Sequence, residues 1–294
     1  MKKLKTIIYP NLILEKINLS RKNHIPQSKI FKQSQENLNK LQVIIDKNKI
    51  EKFNFFKKFN FFFPFHSFGN LNSSDQILSL NNLIVFNLIN KLNNHYNKIC
   101  DLGGCIGFHT IIFNKLGFKV RTYEPDRIHY AILKKNIKLN KLKNTTLFNF
   151  AVSKKDDSEI FTKVLDNTTA SFINNYKQPY GKIEKYKVKC KNFLGILKWG
   201  DIFKIDIEGM EYEIFSLLNK KNIKNKFLFF EIDNLKTRKM IFVHSLKKKL
   251  SLYSQKKGWE KVNKITDLPK DWREGSFLLT ENKKVFFEIL RKYK

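Results

Sequence analysis

One stretch of the chain combines acidic residues and glycines at a spacing that can bind a nucleoside. The run Asp101-Leu102-Gly103-Gly104-Cys105-Ile106-Gly107 closes a predicted strand and opens a predicted helix. Glycines permit a tight turn and let a ligand approach the backbone, and the start of the helix offers unpaired N–H groups. Glu124 lies 21 residues beyond Gly103, where a carboxylate can accept both hydroxyls of a ribose. We therefore expect a ligand that contains an adenosine-like ribose.

Two cofactors compete for this turn. A dinucleotide fingerprint, G-x-G-x-x-G, would need its second glycine at Cys105, which the sequence does not provide. The form D-x-G-x-x-x-G instead suits S-adenosylmethionine, which has no pyrophosphate and carries an ammonium group that a carboxylate can hold. The plainer alternative is a strand-to-helix turn that merely uses glycine, and Glu124 argues against it.

The elements around the turn predict an α/β fold. From Lys98 onward, short apolar strands alternate with helices, which is typical of a mainly parallel sheet with helices on both faces. Two β-rich stretches, 158–164 and 184–190, predict a small β insertion at about 154–192. Upstream, 77–92 has the apolar period of a helix, and Ser73-Ser74-Asp75-Gln76 reads as its capping box. We assign 76–294 to the domain that carries the turn.

The first 75 residues form a predicted N-terminal extension. Positions 1–49 are polar and weakly patterned, so we expect loose packing there. Nine phenylalanines crowd 53–69 around His66, and so many aromatic side chains must cover a core or a pocket. The extension is therefore a candidate lid over the acceptor.

Five segments, in order, resemble motifs of the FkbM-type methyltransferases. The glycine run matches that family's D-[VI]-G-A-N-x-G turn, and Tyr123-Glu124-Pro125-Asp126 matches its second acidic motif. The resemblance continues through 149–153 and 204–211 and ends at 230–232. It implies a class I, S-adenosylmethionine-dependent enzyme with a Rossmann-like, doubly wound, mostly parallel sheet of seven strands. Gly104 and Cys105 depart from the usual Ala-Asn pair, which removes an amide side chain from the turn.

The resemblance also implies roles for individual residues. Asp101, Gly103 and Gly107 would line the methionine end of the cofactor. Glu124 would hold the ribose, and Asn149 with Ala151 would border the adenine. Asp206 would stand beside the methyl group. The full set of expected cofactor contacts is Asp101, Gly103, Gly104, Gly107, Glu124, Asn149, Ala151 and Asp206. For Asn149 a strand-end turn is an equal alternative, and for Asp206 and Glu208 the alternative is helix capping before Gly209.

A hydroxyl acceptor must lose a proton, so a base is expected within about 3 Å of it. Asp206 is the first candidate, followed by His109 and His66, although a packed or solvent-facing side chain is the commoner fate of a histidine. Asp206, Asp233 and Asn234 are similar to the magnesium ligands of catechol-type O-methyltransferases. Such residues also occur at strand ends by chance, so we do not expect a metal site.

The composition restricts the partners. The formal net charge is +31, but only six of the 57 basic residues are arginine, which favours a compositional bias over a dedicated polyanion site. Contact with anionic surfaces remains compatible with this charge. Three cysteines without a CxxC pair indicate a reducing, cytoplasmic environment. No apolar stretch approaches the ~18 residues of a membrane span, and Pro10 and Asn11 argue against a signal peptide.

Three functions remain open from the sequence. The leading one is O-methylation of a hydroxyl on a sugar, a glycan or a small metabolite, an acceptor class that the family resemblance alone supplies. The second is an RNA methyltransferase, which is disfavoured because no [DN]-P-P-[YF] motif is present and two carboxylates follow Ile205. The third is a binding protein that keeps the fold without catalysis, and the Gly104-Cys105 departure is its only support.

Overall fold

The computed structural model describes residues 6–8, 11–40, 50–55, 59–64, 79–165, 171–173, 181–232 and 234–293. The N-terminal elements are β1 Thr6–Ile8, α1 Asn11–Asn18, α2 Lys29–Lys40, β2 Ile50–Phe55, β3 Phe59–Pro64 and α3 Leu80–Leu92. The central elements are β4 Lys98–Leu102, α4 Phe108–Lys115, β5 Lys119–Tyr123, α5 Arg127–Leu139, β6 Thr145–Phe148, β7 Ala151–Ser153, β8 Asp157–Val164, β9 Phe172–Ile173 and β10 Ile183–Asn192. The C-terminal elements are α6 Phe193–Trp199, β11 Ile202–Ile205, α7 Glu211–Phe215, β12 Phe227–Phe230, α8 Leu235–Lys248, β13 Leu252–Ser254, β14 Glu260–Lys261, β15 Phe277–Leu279 and α9 Lys283–Leu290.

The largest sheet has eight strands in the order β14-β13-β15-β12-β11-β4-β5-β6. Pairings from β12 through β6 are parallel, and β15 runs antiparallel between β12 and β13. Strands β11 and β12 are buried at every position because elements cover both faces of the sheet. The mostly parallel α/β sheet was predicted, but the prediction of seven strands was wrong by one. The extra strand is β14, whose two exposed residues, Glu260 and Lys261, give no apolar signal.

The sheet contains a topological switch point between β4 and β11. From β4 the chain adds β5 and β6 on one side, and it later returns to add β11 and β12 on the other. In open α/β sheets, ligands bind outside the carboxyl ends of the strands at such a point. The glycine turn follows β4 and Asp206 follows β11, so both lie at this edge.

A second sheet, of order β7-β10-β8-β9, stands beside the first. Its main pair is β8 with β10, antiparallel from Ile183 opposite Val164 to Cys190 opposite Asp157. β7 joins β10 in parallel and fastens this sheet to the end of β6. The insertion therefore borders the carboxyl edge of the large sheet.

The described part of the N-terminal extension is integrated in the main core, where loose packing was expected. Ile17 and Phe31 belong to the same buried cluster as the helices that cover the large sheet. The rings of Phe61 and Phe63 lie against Phe108 of α4, with centroids 5.6 and 5.2 Å apart. These β3 aromatics thus cover the core helices instead of a ligand site.

Some N-terminal predictions fall outside the described residues, among them His66 and the capping box at 73–76. The helix predicted at 77–92 is described from Leu80, and Ser79 caps it by accepting a hydrogen bond from the N–H of Asn82. In the part of the chain that the structure describes, we find no helix with the length and apolar character to cross a membrane.

Candidate functional site

The glycine turn is shaped by contacts with the protein itself. Gly103 has φ of +82°, and a Cβ there would lie 1.8 Å from the carbonyl oxygen of Asp206. A Cβ at Gly104 would lie 2.1 Å from Cγ2 of Thr122. The N–H groups of both glycines donate to the carbonyl of Tyr123, each at 3.0 Å. These glycines let the turn pass between β11 and β5, so close packing explains them without a ligand.

Asp101 lies beneath the turn, not in the wall of the cleft. Its side chain is buried, and Oδ2 accepts a hydrogen bond of 2.6 Å from the Thr110 hydroxyl. Its other oxygen, Oδ1, has no hydrogen-bond partner among the described residues. Burial raises the pKa of Asp101 to about 6. The predicted contact with the methionine end of the cofactor is therefore not preformed, but a buried oxygen able to accept a hydrogen bond is available there.

Glu124 ends β5 and faces the turn. Its Oε2 accepts the N–H of Cys105 at 2.7 Å, and its Oε1 accepts the N–H of Asp126 at 2.8 Å. Each carboxylate oxygen has a second lone pair, so both can also accept a ribose hydroxyl. Burial raises the pKa of Glu124 to about 8, although the two backbone hydrogen bonds oppose this shift.

The residues predicted to border the adenine differ in position. The Asn149 amide donates to the carbonyls of Glu124 and Pro125, at 2.8 and 3.1 Å. It does not line the cleft but fixes the backbone that carries Glu124, as the strand-end alternative predicted. Ala151 does line the cleft, next to Phe150.

A buried lysine that sequence reasoning missed supports Asp206. Lys204 of β11 is 1% exposed, and its Nζ lies 3.1 Å from Oδ2 of Asp206 and 3.1 Å from Oε1 of Glu231. Burial alone would lower the pKa of Lys204, but these carboxylates raise it above its ordinary value. The available signal was a charged residue in the otherwise apolar strand Ile202–Ile205.

The loop after Asp206 turns Glu208 towards the cleft. Glu208 has φ of +50° and Gly209 has φ of +106°, two successive left-handed residues. The buried carboxylate of Glu211 accepts the N–H of Gly209, at 2.9 Å, and of Ile207, at 3.2 Å. The carboxylate of Glu211 therefore fixes the loop before α7, and Glu208 is among the residues that line the cleft.

Gly103, Glu124, Ala151, Asp206 and Glu208 line a cleft of about 700 Å³, a volume that includes space open to solvent. Its apolar walls include Tyr123, Phe150, Phe161, Phe172 and Ile173, contributed by the large sheet and by the insertion.

The wall of this cleft is rich in acidic residues, although the protein as a whole is strongly basic. Three carboxylates line it, those of Glu124, Asp206 and Glu208, and no lysine or arginine is among the described residues of its wall. His129 is the only basic side chain among them. Because the chain carries +31 overall, this local excess of acid is a property of the site and not of the composition.

The structure does not bring His109, one of the two predicted histidine bases, into this cleft, and His66 lies outside the described residues. The His109 ring packs between aromatic rings, with centroids 5.0 Å from Phe86 and 6.2 Å from Phe113. Burial lowers the pKa of His109 to about 3, which makes it a weak base at neutral pH. Asp206 is the one predicted base among the described residues that lines the cleft.

The magnesium candidates do not assemble into a described site. No group of three or more His, Cys, Asp or Glu side chains suited to a metal occurs within the described ranges. The Asn234 side chain accepts the N–H of Thr237 and caps α8. Asp233 lies outside the described residues.

Comparisons with solved structures find methyltransferases. The TYW2 protein of M. jannaschii, in complex with AdoMet, is 14% identical over 81% of this chain and 86% of that chain, with a TM-score of 0.38. A SAM-dependent methyltransferase from Agrobacterium tumefaciens is 11% identical over 67% of this chain and 59% of that chain, with a TM-score of 0.38. A putative O-methyltransferase from Klebsiella pneumoniae is 11% identical over 68% and 79%, with a TM-score of 0.37. Similarity at this level says nothing about a substrate.

The sequence itself is more informative. A comparison with curated proteins finds no significant match. The profile described as Methyltransferase FkbM domain matches residues 101–251, just over half of the 294-residue chain. The match begins at Asp101 of the glycine turn and includes β5, the insertion, β11 and α8. The chain belongs to the FkbM methyltransferase family.

Proposed function

We propose that this S-adenosylmethionine-dependent methyltransferase transfers the methyl group to a hydroxyl oxygen of a sugar, a glycan or a small metabolite. The observation that supports the proposal is the acid-lined cleft at the switch point of a strongly basic protein. A cationic sulfonium nucleoside and a neutral hydroxyl acceptor both suit such a lining. A pyrophosphate or an RNA backbone would face three carboxylates there without a neighbouring lysine or arginine in the described wall.

The described residues fit S-adenosylmethionine. Glu124 offers hydrogen-bond acceptors for the two ribose hydroxyls, and the apolar wall around Phe150 and Ala151 offers a surface for the adenine. The buried Oδ1 of Asp101 can accept a donor, because no described residue satisfies it. When bound, the cofactor supplies an electrophilic methyl group at its sulfonium.

Asp206 is the base in this proposal. The acceptor hydroxyl donates its hydrogen bond to the Asp206 carboxylate, which takes the proton as the oxygen becomes nucleophilic. Lys204 orients that carboxylate through an ion pair, and the ammonium of Lys204 is itself held on the other side by Glu231. The aromatic walls offer surfaces that can align the acceptor with the methyl group, and alignment supplies most of the remaining rate.

The test is incubation of the protein with methyl-labelled S-adenosylmethionine and separated glycan, small-molecule, RNA and protein fractions. We expect label in the glycan or small-molecule fraction. Label confined to RNA would establish the alternative acceptor and overturn the proposal. Cofactor binding without transfer to any fraction would favour the non-catalytic alternative.

Variants then separate binding from transfer. Asp206→Asn should retain cofactor binding by calorimetry and lose transfer by roughly 10²-fold or more, the usual contribution of a general base. Asp157→Asn is the matched control, because this carboxylate is in the insertion, outside the cleft. Full transfer activity in Asp206→Asn would show that the base lies elsewhere.

A further inference from the structure

One region of the chain is rich in basic residues and lacks acidic ones. Residues 214–230 and 234–259 contain twelve lysines and arginines and no aspartate or glutamate. The α7–β12 loop lies beside α8, because the His244 ring nitrogen Nε2 is 3.3 Å from the carbonyl oxygen of Leu218. We call the exposed lysines of this loop and of α8 the α8 surface, which leaves out the buried Arg238 and Lys256, whose ammonium pairs with Glu274.

Apolar side chains project from the same helix into solvent. Leu235 is 62% exposed, Val243 is 55% exposed and Leu246 is 60% exposed. With Lys239 they follow the sequence spacing of four, four and three residues, which places them along one side of a helix. The opposite side is held in the protein, since Thr237 and Ile241 are buried.

The surface has no acidic neighbours on α8 with which its lysines could pair. Exposed Lys236, Lys239 and Lys247 flank the apolar stripe, and α8 contains neither aspartate nor glutamate. Lysines that surround exposed apolar side chains are typical of surfaces that bind anionic membranes. The ammonium groups contact the headgroups, and the apolar side chains reach the acyl chains.

We propose that the α8 surface docks the protein on an anionic membrane. The lysines contact the headgroups, and Leu235, Val243 and Leu246 enter the acyl boundary. This inference concerns a partner of the protein and is independent of methyl transfer. α8 begins at Leu235, shortly after β12 ends at Phe230, so its first turn lies at the carboxyl edge of the large sheet.

A membrane fits this surface better than RNA does. RNA contacts would use the charges but would gain nothing from three apolar side chains among them. The one arginine of α8, Arg238, is buried, with its guanidinium on the carbonyl of Ile265 at 2.6 Å. It is thus withdrawn from the bidentate phosphate contacts that arginine makes.

The test is sedimentation of the full chain with phosphatidylglycerol-containing vesicles and with pure phosphatidylcholine vesicles. We expect binding to the anionic vesicles and little to the neutral ones, since both charge and apolar contact contribute. The triple variant Leu235→Ser, Val243→Ser, Leu246→Ser keeps every charge and should partition about tenfold more weakly. Leu19→Ser is the matched control, because Leu19 is 61% exposed next to basic residues on another part of the protein.

Two results would overturn the proposal. If the triple variant binds the anionic vesicles as tightly as the unaltered protein, only general charge attraction is at work. If the vesicles are not bound while single-stranded RNA is, and the triple variant binds that RNA normally, the surface serves nucleic acid instead. Because the changed residues are exposed, thermal midpoints of all variants should stay close to that of the unaltered protein.

Discussion

Glu124 provides a direct test of the nucleoside site through its ionisation. Burial raises its pKa to about 8 in the free protein. A ribose donates two hydroxyl hydrogens, so it binds the ionised carboxylate better than the protonated one. At pH 6 only about 1% of a group with this pKa is ionised, and at pH 9 about 90% is. We therefore expect nucleoside affinity to rise about a hundredfold across this range. At pH 7, ionising Glu124 for binding makes the binding free energy less favourable by about 1.4 kcal/mol.

The probe for this effect is 5′-methylthioadenosine. It carries the adenine, the ribose and a thioether but no group that titrates in this pH range. Titration calorimetry should show the affinity rising about tenfold for each pH unit between pH 6 and 8 and reaching a plateau above pH 8. In two buffers of different ionisation enthalpy, binding at pH 7 should release close to one proton.

Glu124→Gln identifies the titrating group. Glutamine keeps the size of the side chain and cannot ionise, so its affinity should be lower at pH 9 and independent of pH. A flat profile for the unaltered protein would refute the raised pKa. An unchanged slope in Glu124→Gln would show that another group, such as Asp101, controls binding.

Further predictions concern stability and are checked by urea unfolding. Gly103→Ala should lower the free energy of unfolding by about 3 kcal/mol or more, because the added Cβ meets a carbonyl oxygen and φ is positive. Gly195→Ala in α6, where nothing lies within 4 Å of the added Cβ, should raise the free energy of unfolding by about 0.5–1 kcal/mol. Equal effects would contradict the packing argument. Lys204→Met should lower the free energy of unfolding by about 3 kcal/mol at pH 8, because it leaves the carboxylates of Asp206 and Glu231 without their cation. The loss should be smaller at pH 5, where these carboxylates can be protonated. A loss that does not vary with pH would refute the ion-pair role. Cys105→Asn should raise the free energy of unfolding by about 0.5–1 kcal/mol, since asparagine tolerates the φ of +48° there better than cysteine does. A lower midpoint would show that the thiol packing outweighs the backbone.

The fold was predictable where one local pattern dominates. Strands β11 and β12 are buried on both faces, so each is an unbroken apolar run with one exception, Lys204. The glycine turn after β4 and the acid after β5 are short-range motifs. β14 was missed because two exposed residues pair with β13 without an apolar pattern.

The site was less predictable because its contacts join residues far apart in sequence. Lys204 reaches Glu231 only because β11 and β12 are neighbours in the sheet. Glu211 binds the loop backbone, whereas capping had been considered only as the alternative role of Asp206 and Glu208, and no spacing rule separates these three acids. His109 was a reasonable base by residue type, but the aromatic residues that bury it come partly from α3.

The N-terminal extension shows the same limit. The Asn140 side chain accepts the N–H of Phe62 at 2.7 Å and donates to its carbonyl at 2.6 Å, across 78 positions of sequence. This pair fastens β3 to the end of α5, and no periodicity in 1–49 or 53–69 could indicate it. Loose packing was the wrong expectation for the described part of 1–49, because Ile17 and Phe31 lie in the main buried cluster.

The contacts of the glycine turn have an evolutionary consequence. Selection for a folded protein is enough to retain Gly103 and Gly104, because any side chain there would strike β11 or β5. Glu208 lines the open cleft, so selection to keep it depends on the ligand that the cleft binds. A descendant that abandoned the reaction would keep its glycines and lose its acids, so variation among the acids is the better record of when the chemistry was in use.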